Sequence, residues 1–282
     1  MSTRLVAVLT ALSFGVLAGC GSGTQTKGSQ PAAVDPTSGN WVFVPANPLS
    51  GGTVSLPPFL SGSLMASGGQ LTADFLVSPF SVSCSLSTSF DVSLTGTVQG
   101  SQLTLTSAPW NSGVFTVTGT VGSGGSSFSG EWSVKGGCAD GASGEFAANY
   151  VPAVTGTWTG VLGTVPGQSS TVLTGSTVTL QLVQAAEPTQ FSFPLTGTIT
   201  VSGSSCGFST GTLMQLPGGD PLAPSSITGY NWTAEAEMSD GKSIVAAVGV
   251  LDASNAGSWL MEMGVAGGSC DGATGLTTLI RQ

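Results

Sequence analysis

An internal duplication constrains this chain of 282 residues more than any other feature of its sequence. Each half carries the same markers in the same order: a Gly-x-Trp segment, a cysteine, a tryptophan, a second tryptophan two residues after a glycine, and a cysteine followed by Asp-Gly. These markers are Trp41, Cys84, Trp110, Trp132 and Cys138 in the first half, and Trp158, Cys206, Trp232, Trp259 and Cys270 in the second. A repeat of this kind indicates one structural unit built twice. The boundary falls near Pro152, which predicts one domain over 39–152 and another over 153–282.

Apolar and hydroxyl residues alternate through both halves, and this alternation predicts the fold class. Val92, Leu94 and Val98 alternate with serine and threonine, and 114–121, 177–183 and 191–201 behave similarly. Alternation with a period of two, interrupted by glycine-rich turns, is typical of half-buried strands. We expect an all-β protein with about eight strands per repeat, because a meander of that length can close into a barrel and remove its edges. The expected architecture is therefore two tandem antiparallel up-and-down β-barrels, and the alternative is two tandem Greek-key β-sandwiches.

The amino-terminal segment is predicted to be a targeting signal. Arg4 precedes an apolar run over 5–16 that is too short to span a membrane comfortably, so 1–19 is typical of a secretory signal peptide. The motif Leu17-Ala18-Gly19-Cys20 resembles the lipobox of bacterial lipoproteins. That resemblance implies that Cys20 is lipidated and that its acyl chains anchor the protein to a membrane.

The residues after Cys20 refine the expected location. No aspartate follows the cysteine, and by the lipoprotein resemblance this favours the outer membrane over the inner one. The segment 20–38 is rich in Gly, Ser, Thr, Gln and Pro, a composition typical of a flexible tether.

The remaining four cysteines are expected to pair, because an exported chain meets an oxidising compartment. Four cysteines allow three connectivities. The duplication favours the one in which each repeat closes its own bridge, Cys84–Cys138 and Cys206–Cys270.

The segments Gly39-Asn40-Trp41 and Gly156-Thr157-Trp158 resemble the first strand of the lipocalin and avidin group. The resemblance implies calycin-like barrels in which this tryptophan closes one end. Lipocalins also place an arginine over the tryptophan, and with only 5 lysines and arginines in the chain we expect no counterpart here. The Gly/Ser/Thr-rich duplicated pattern is also similar to uncharacterised lipoproteins of soil bacteria, which imply no function.

Composition excludes several functional classes. The chain has no histidine, so triads, general bases and metal sites that need histidine are excluded. Its net charge of −9 argues against nucleic-acid binding, which requires basic residues. No cofactor is expected.

Two sets of carboxylates have both a chemical and a structural interpretation. Asp140 and Asp271, each followed by glycine, could bind Ca²⁺ or simply form turns. Glu235 and Glu237 could act as a catalytic pair or mark the solvent face of a strand.

The tryptophans are the remaining candidates for a site. Trp41, Trp132, Trp158 and Trp259 could line a ligand cavity or pack the core, and Trp110 and Trp232 occupy the middle position of each repeat. The sequence thus predicts a lipid-anchored envelope protein without enzymatic activity that binds a small apolar molecule or a glycan. The alternative is a structural or interaction lipoprotein whose barrels are filled and hold no ligand.

Overall fold

The computed structural model describes residues 35–46, 60–77, 90–109, 112–168, 170–215, 225–252 and 255–282. They form two closed antiparallel β-barrels in tandem, each with eight positions in its wall, which confirms the predicted fold class over the Greek-key alternative. The predicted signal peptide, Cys20 and the tether as far as residue 34 lie outside the described residues. No helix in the described part of the chain is long and apolar enough to cross a membrane.

The first barrel is a simple meander. Its strands are β1 Gly39–Pro45, β2 Leu60–Ser67, β3 Gln70–Val77, β4 Phe90–Gln99, β5 Gln102–Ser107, β6 Gly113–Val121, β7 Ser127–Gly136 and β8 Ser143–Val151. Each strand pairs with the next, and β8 pairs with β1 to close the barrel. This closure leaves no unpaired strand edge.

The second barrel follows the same path with one wall position divided in two. Its strands are β9 Gly156–Val161, β10 Thr177–Gln184, β11 Phe193–Ser202, β12 Thr210–Leu213, β13 Ser226–Thr228, β14 Asn231–Met238, β15 Ile244–Asp252, β16 Asn255–Ala266 and β17 Thr274–Arg281. The two short strands β12 and β13 both lie between β11 and β14. Pairing of β9 with both β10 and β17 closes the ring, and a short 3₁₀ turn over Gly268–Cys270 precedes β17.

Alternation of side chains gives each barrel an aromatic interior. In the first barrel Phe43 lies between Phe75, Phe128 and Phe146, at ring-centroid distances of 4.8, 5.0 and 5.2 Å. In the second, buried aliphatic side chains and the rings of Trp158, Trp232 and Trp259 belong to one core cluster. Large inward-facing side chains of this kind fill small barrels.

The two barrels dock through the outer face of β1. Asn40 points away from its own barrel and is nevertheless only 1% exposed. Its side-chain amide donates to the carbonyl oxygen of Gly229 at 2.9 Å, and the Gly229 amide donates to the Asn40 Oδ1 at 2.8 Å. Val42, also on the outer face, is fully buried in the core cluster of the second barrel. We call this arrangement the Asn40–Gly229 clasp.

Gly229 suits this contact because it has no side chain and has a left-handed backbone. It lies in the turn between β13 and β14 with φ +58°, and a Cβ there would lie 2.6 Å from Ser61 Cβ and 2.8 Å from Val42 Cγ2. The corresponding turn of the first barrel, between β4 and β5, contains Gly100 with φ +64° and no neighbour within 4 Å of an added Cβ. Docking therefore occupies this turn in the second barrel only.

Candidate functional site

The tryptophan of each Gly-x-Trp segment is anchored in the same way in both barrels. The indole Nε1 of Trp41 donates to the carbonyl oxygen of Thr37 at 2.8 Å, and that of Trp158 donates to Val154 at 2.9 Å. Both acceptors lie four residues earlier, and both rings are fully buried. A buried indole with its N–H satisfied is a stable packing unit.

An arginine does cover one of these tryptophans, so the expectation that none would was wrong. The Arg281 guanidinium carbon lies 5.5 Å from the centroid of the Trp158 ring, within cation–π distance. The first barrel has Tyr150 at the same register position, edge-on to Trp41 at 5.9 Å. The low number of arginines in the chain does not exclude one arginine beside the Trp158 ring.

Trp132, Trp232 and Trp259 also lie inside the barrels. Trp259 stacks on Trp158 at 4.2 Å and contacts Trp232 at 4.7 Å. Trp132 is 6% exposed and lies 6.1 Å from Phe115. All four tryptophans proposed to line a ligand cavity are thus packed against other core side chains, and Trp132 also lines a pocket of about 250 Å³. Trp110 lies outside the described residues.

The two Asp-Gly aspartates close equivalent turns. Asp140 Oδ1 accepts a hydrogen bond from the Gly136 amide at 2.6 Å, and Asp271 Oδ1 accepts one from the Gly267 amide at 2.8 Å. Each carboxylate satisfies a backbone donor four residues before it, which accounts for its place in both repeats. Within the described ranges, no three Cys, Asp or Glu side chains are grouped closely enough to hold a metal ion.

The bridge predicted in the second repeat is confirmed. Cys206 and Cys270 are joined, with 5.3 Å between their Cα atoms, and they tie the segment before β12 to the 3₁₀ turn before β17. Cys138 is also disulfide-bonded. Cys84 lies outside the described residues, so the Cys84–Cys138 pairing stays a prediction.

The predicted carboxylate pair lies on the outer surface of the second barrel. Glu235 and Glu237 alternate with buried alanines along β14, so both point outward. A second pair, which the sequence did not predict, is Glu131 and Glu145; they stand directly opposite each other on β7 and β8 and line the pocket of about 250 Å³. That pair is 14 residues apart in the chain, and only the strand register brings it together.

One exposed turn has a strongly hydrogen-bonded carboxylate. The Ser243 hydroxyl donates to Asp240 Oδ2 at 2.7 Å, and the amides of Ser243 and Lys242 donate to Oδ1. The Ser243 hydroxyl, followed by these amides, lowers the pKa of Asp240 below its ordinary value. These hydrogen bonds favour the ionised carboxylate of Asp240, and in that form Asp240 stabilises the turn between β14 and β15.

A groove of about 840 Å³ lies between the two barrels. We call it the inter-barrel groove. The first barrel lines it with Val44, Ser126, Ser127, Ala147, Asn149 and Tyr150; the second lines it with Tyr230, Leu251 and Asp252, and Pro152 of the connection completes it. Its volume lies within the range of about 300–1,000 Å³ that is typical of small-molecule sites.

Each barrel supplies one tyrosine to this groove, and the chain has only two. Tyr150 packs beside the core of the first barrel, whereas Tyr230 packs against the core of the second. Both are half-buried, and burial raises the pKa of the Tyr230 phenol. Each tyrosine therefore packs on its own barrel and is also one of the residues that line the groove.

Sequence reasoning did not find the inter-barrel groove, because its residues form no motif. A usable signal was present on β1, where Asn40, Val42 and Val44 all point outward. The first two are buried against the second barrel, whereas Val44 is 39% exposed and borders the groove. Val42 and Val44 form a short apolar stretch on the outer face of β1, and contiguous apolar surface of this kind favours an interaction site.

Comparisons with models of protein families, with curated proteins and with solved structures found no match to this chain. Its function has to be inferred from the geometry of its own residues.

Proposed function

We propose that this chain is a lipid-anchored protein of the cell envelope that has no enzymatic activity and binds a small apolar molecule or a glycan. The observation that carries the binding proposal is the inter-barrel groove, because both repeats contribute to it and the Asn40–Gly229 clasp holds them together. A site at such a joint is a common position for ligands. The anchoring part of the proposal is supported by the lipobox-like segment that ends at Cys20.

The packing inside the barrels favours the groove over the interiors as the binding place. The stacked rings of Trp158, Trp259 and Trp232 occupy the second interior, and the phenylalanine cluster around Phe43 occupies the first. A ligand would have to displace these side chains from close-packed positions. The groove requires no such displacement.

A second candidate function is a structural or interaction role, and an exposed aliphatic face of the second barrel favours it. Val250 and Leu260 stand opposite each other on β15 and β16, and the matching pair in the first barrel is Thr116 and Ser133. The face consists of Val161, Val248, Val250, Leu260 and Ile280, which are 48–62% exposed. A contiguous exposed apolar face is typical of an interaction surface.

Native mass spectrometry distinguishes the two functions. The full chain is extracted from its source envelope in mild detergent and its mass compared with that of the bare protein. We expect a co-purifying small molecule, reduced in Tyr230→Ala and retained in Val161→Ser, which alters the aliphatic face instead. Bare protein in every preparation, together with a protein partner lost in Val161→Ser, would favour the interaction role.

Detergent partitioning tests the anchor separately. Cys20→Ser removes the thiol that would carry the lipid, so we expect the variant to leave the detergent phase or to remain unprocessed, while the wild type partitions into detergent. Cys206→Ser is the matched control, because it removes a cysteine of the folded part and should leave partitioning unchanged. Full partitioning of Cys20→Ser would contradict lipidation at this residue.

A further inference from the structure

We propose that the inter-barrel groove binds a neutral oligosaccharide, packed between Tyr150 and Tyr230 and hydrogen-bonded through Asn149 and the neighbouring serines. This inference rests on the proposed function, because it assigns a ligand class to the same groove. Three properties of the lining residues carry it: their polar groups, their aromatic rings and their charge.

The polar lining argues against a purely apolar ligand. Besides the two tyrosines, the polar residues Ser126, Ser127 and Asn149 line the groove. An apolar molecule would remove these groups from water without replacing their hydrogen bonds, at a cost of about 1–3 kcal/mol for each group left unsatisfied. Sugar hydroxyls both donate and accept, so they can replace the lost water.

The two tyrosines provide the apolar contacts that a sugar needs. One face of a pyranose ring exposes mainly C–H groups, which pack well against an aromatic ring. Tyr150 is held by Trp41 at 5.9 Å, and Tyr230 packs against the core of the second barrel. Side chains that are already positioned lose little conformational freedom when a ligand binds. Both rings are therefore suitable platforms without rearrangement.

The charge of the groove excludes anionic sugars. Among the ten described residues that line it, none is a lysine or an arginine, and Asp252 is acidic. An acidic sugar would bring its charge to this carboxylate with no opposite charge to compensate for its loss of hydration. The chain as a whole also has a net charge of −9. A neutral saccharide avoids this penalty.

Calorimetric titration of the full mature chain in detergent micelles tests the assignment. The neutral probes are maltotriose, cellotriose and chitotriose; trigalacturonate is the anionic probe and 1-hexanol the apolar one. We expect saturable binding of at least one neutral trisaccharide and no binding of trigalacturonate. Stronger binding of trigalacturonate than of the neutral sugars would overturn the charge argument and with it the proposal.

Variants locate the site. Tyr150→Ala and Tyr230→Ala should each weaken trisaccharide binding by about tenfold or more, as expected for aromatic anchors. Asn149→Ala should weaken it by about fivefold through a lost hydrogen bond, whereas Gln99→Ala, an exposed amide at the end of β4, should leave it unchanged. Tyr230→Phe keeps the ring and should retain most of the affinity. If a tyrosine-to-alanine variant does not fold, the trisaccharide affinities of Asn149→Ala and Gln99→Ala still decide the location of the site.

The outcomes separate this inference from the function on which it rests. Binding of 1-hexanol without any trisaccharide would overturn the saccharide assignment and leave a binding function in place. Trisaccharide binding that none of the groove variants weakens would overturn the groove as the site. If neither the trisaccharides nor 1-hexanol bind, both the inference and the binding function are overturned.

Discussion

The Asn40–Gly229 clasp should be the most sensitive point of the contact between the barrels. Asn40→Ala removes both hydrogen bonds and leaves the amide and the carbonyl of Gly229 without partners in a buried interface. Each unsatisfied buried group costs about 1–3 kcal/mol, so we expect a loss of about 2–4 kcal/mol in the free energy of unfolding, since water partly rehydrates the interface. The residue is outside both barrel interiors, so each barrel should keep its own core.

Thr157→Ala is the matched control for this experiment. Thr157 occupies the same place in the second Gly-x-Trp segment, also points outward and is half-exposed. Its truncation should change the stability by no more than about 0.5 kcal/mol. Urea denaturation followed by tryptophan fluorescence gives both values, and a separate early transition in Asn40→Ala would indicate uncoupled barrels. Equal effects of the two variants would refute the assignment of docking energy to the clasp.

Three further predictions concern stability. Gly229→Ala should lower the free energy of unfolding by about 2–4 kcal/mol through overpacking and a strained left-handed backbone, whereas Gly100→Ala, with a similar φ and open space, should lower it by about 1–2 kcal/mol; equal losses in thermal denaturation would contradict the close approach. Loss of the Cys206–Cys270 bridge in Cys270→Ser should cost about 2–5 kcal/mol in the same assay, and an unchanged melting temperature would refute its contribution. The lowered pKa of Asp240 means that its ionised form stabilises the fold above the ordinary value of 3.8, and that this stabilisation is lost as the pH falls through the folded-state pKa. The stabilities of wild type and Asp240→Asn should therefore differ near neutral pH and converge in acid, and a constant difference would exclude this origin.

The sequence predicted the barrels because their determinants are local and repeated. Alternating side chains identify strands without knowledge of their partners, and the duplication shows that one solution is used twice. The bridge Cys206–Cys270 followed from the same repeat logic. Trp41 and Trp158 were recognised as paired positions, but only the structure shows that each indole is satisfied by a carbonyl four residues earlier.

The contacts that the sequence could not predict depend on register or on docking. Arg281 covers Trp158 because β17 and β9 pair in one register, and Glu131 meets Glu145 for the same reason on β7 and β8. The inter-barrel groove requires the relative position of two domains, which no periodicity encodes. One signal was available: Asn40 stands where the second repeat has Thr157, and this substitution marks the docked face.

The docking contact is heterologous, because two different kinds of surface meet. The outer face of a strand in the first barrel contacts a turn of the second barrel. The outer face of β1 meets the turn at Gly229, whereas in the equivalent turn of the first barrel an added Cβ on Gly100 would have no neighbour within 4 Å among the described residues. Contacts of this kind can extend into open arrays unless an end is blocked. Thr157 and Thr159 stand in place of Asn40 and Val42, so this part of the outer face of β9 is more polar than the docked face of β1, whereas Val161 farther along β9 is 62% exposed. The second barrel therefore carries no second copy of the surface through which Asn40 and Val42 dock.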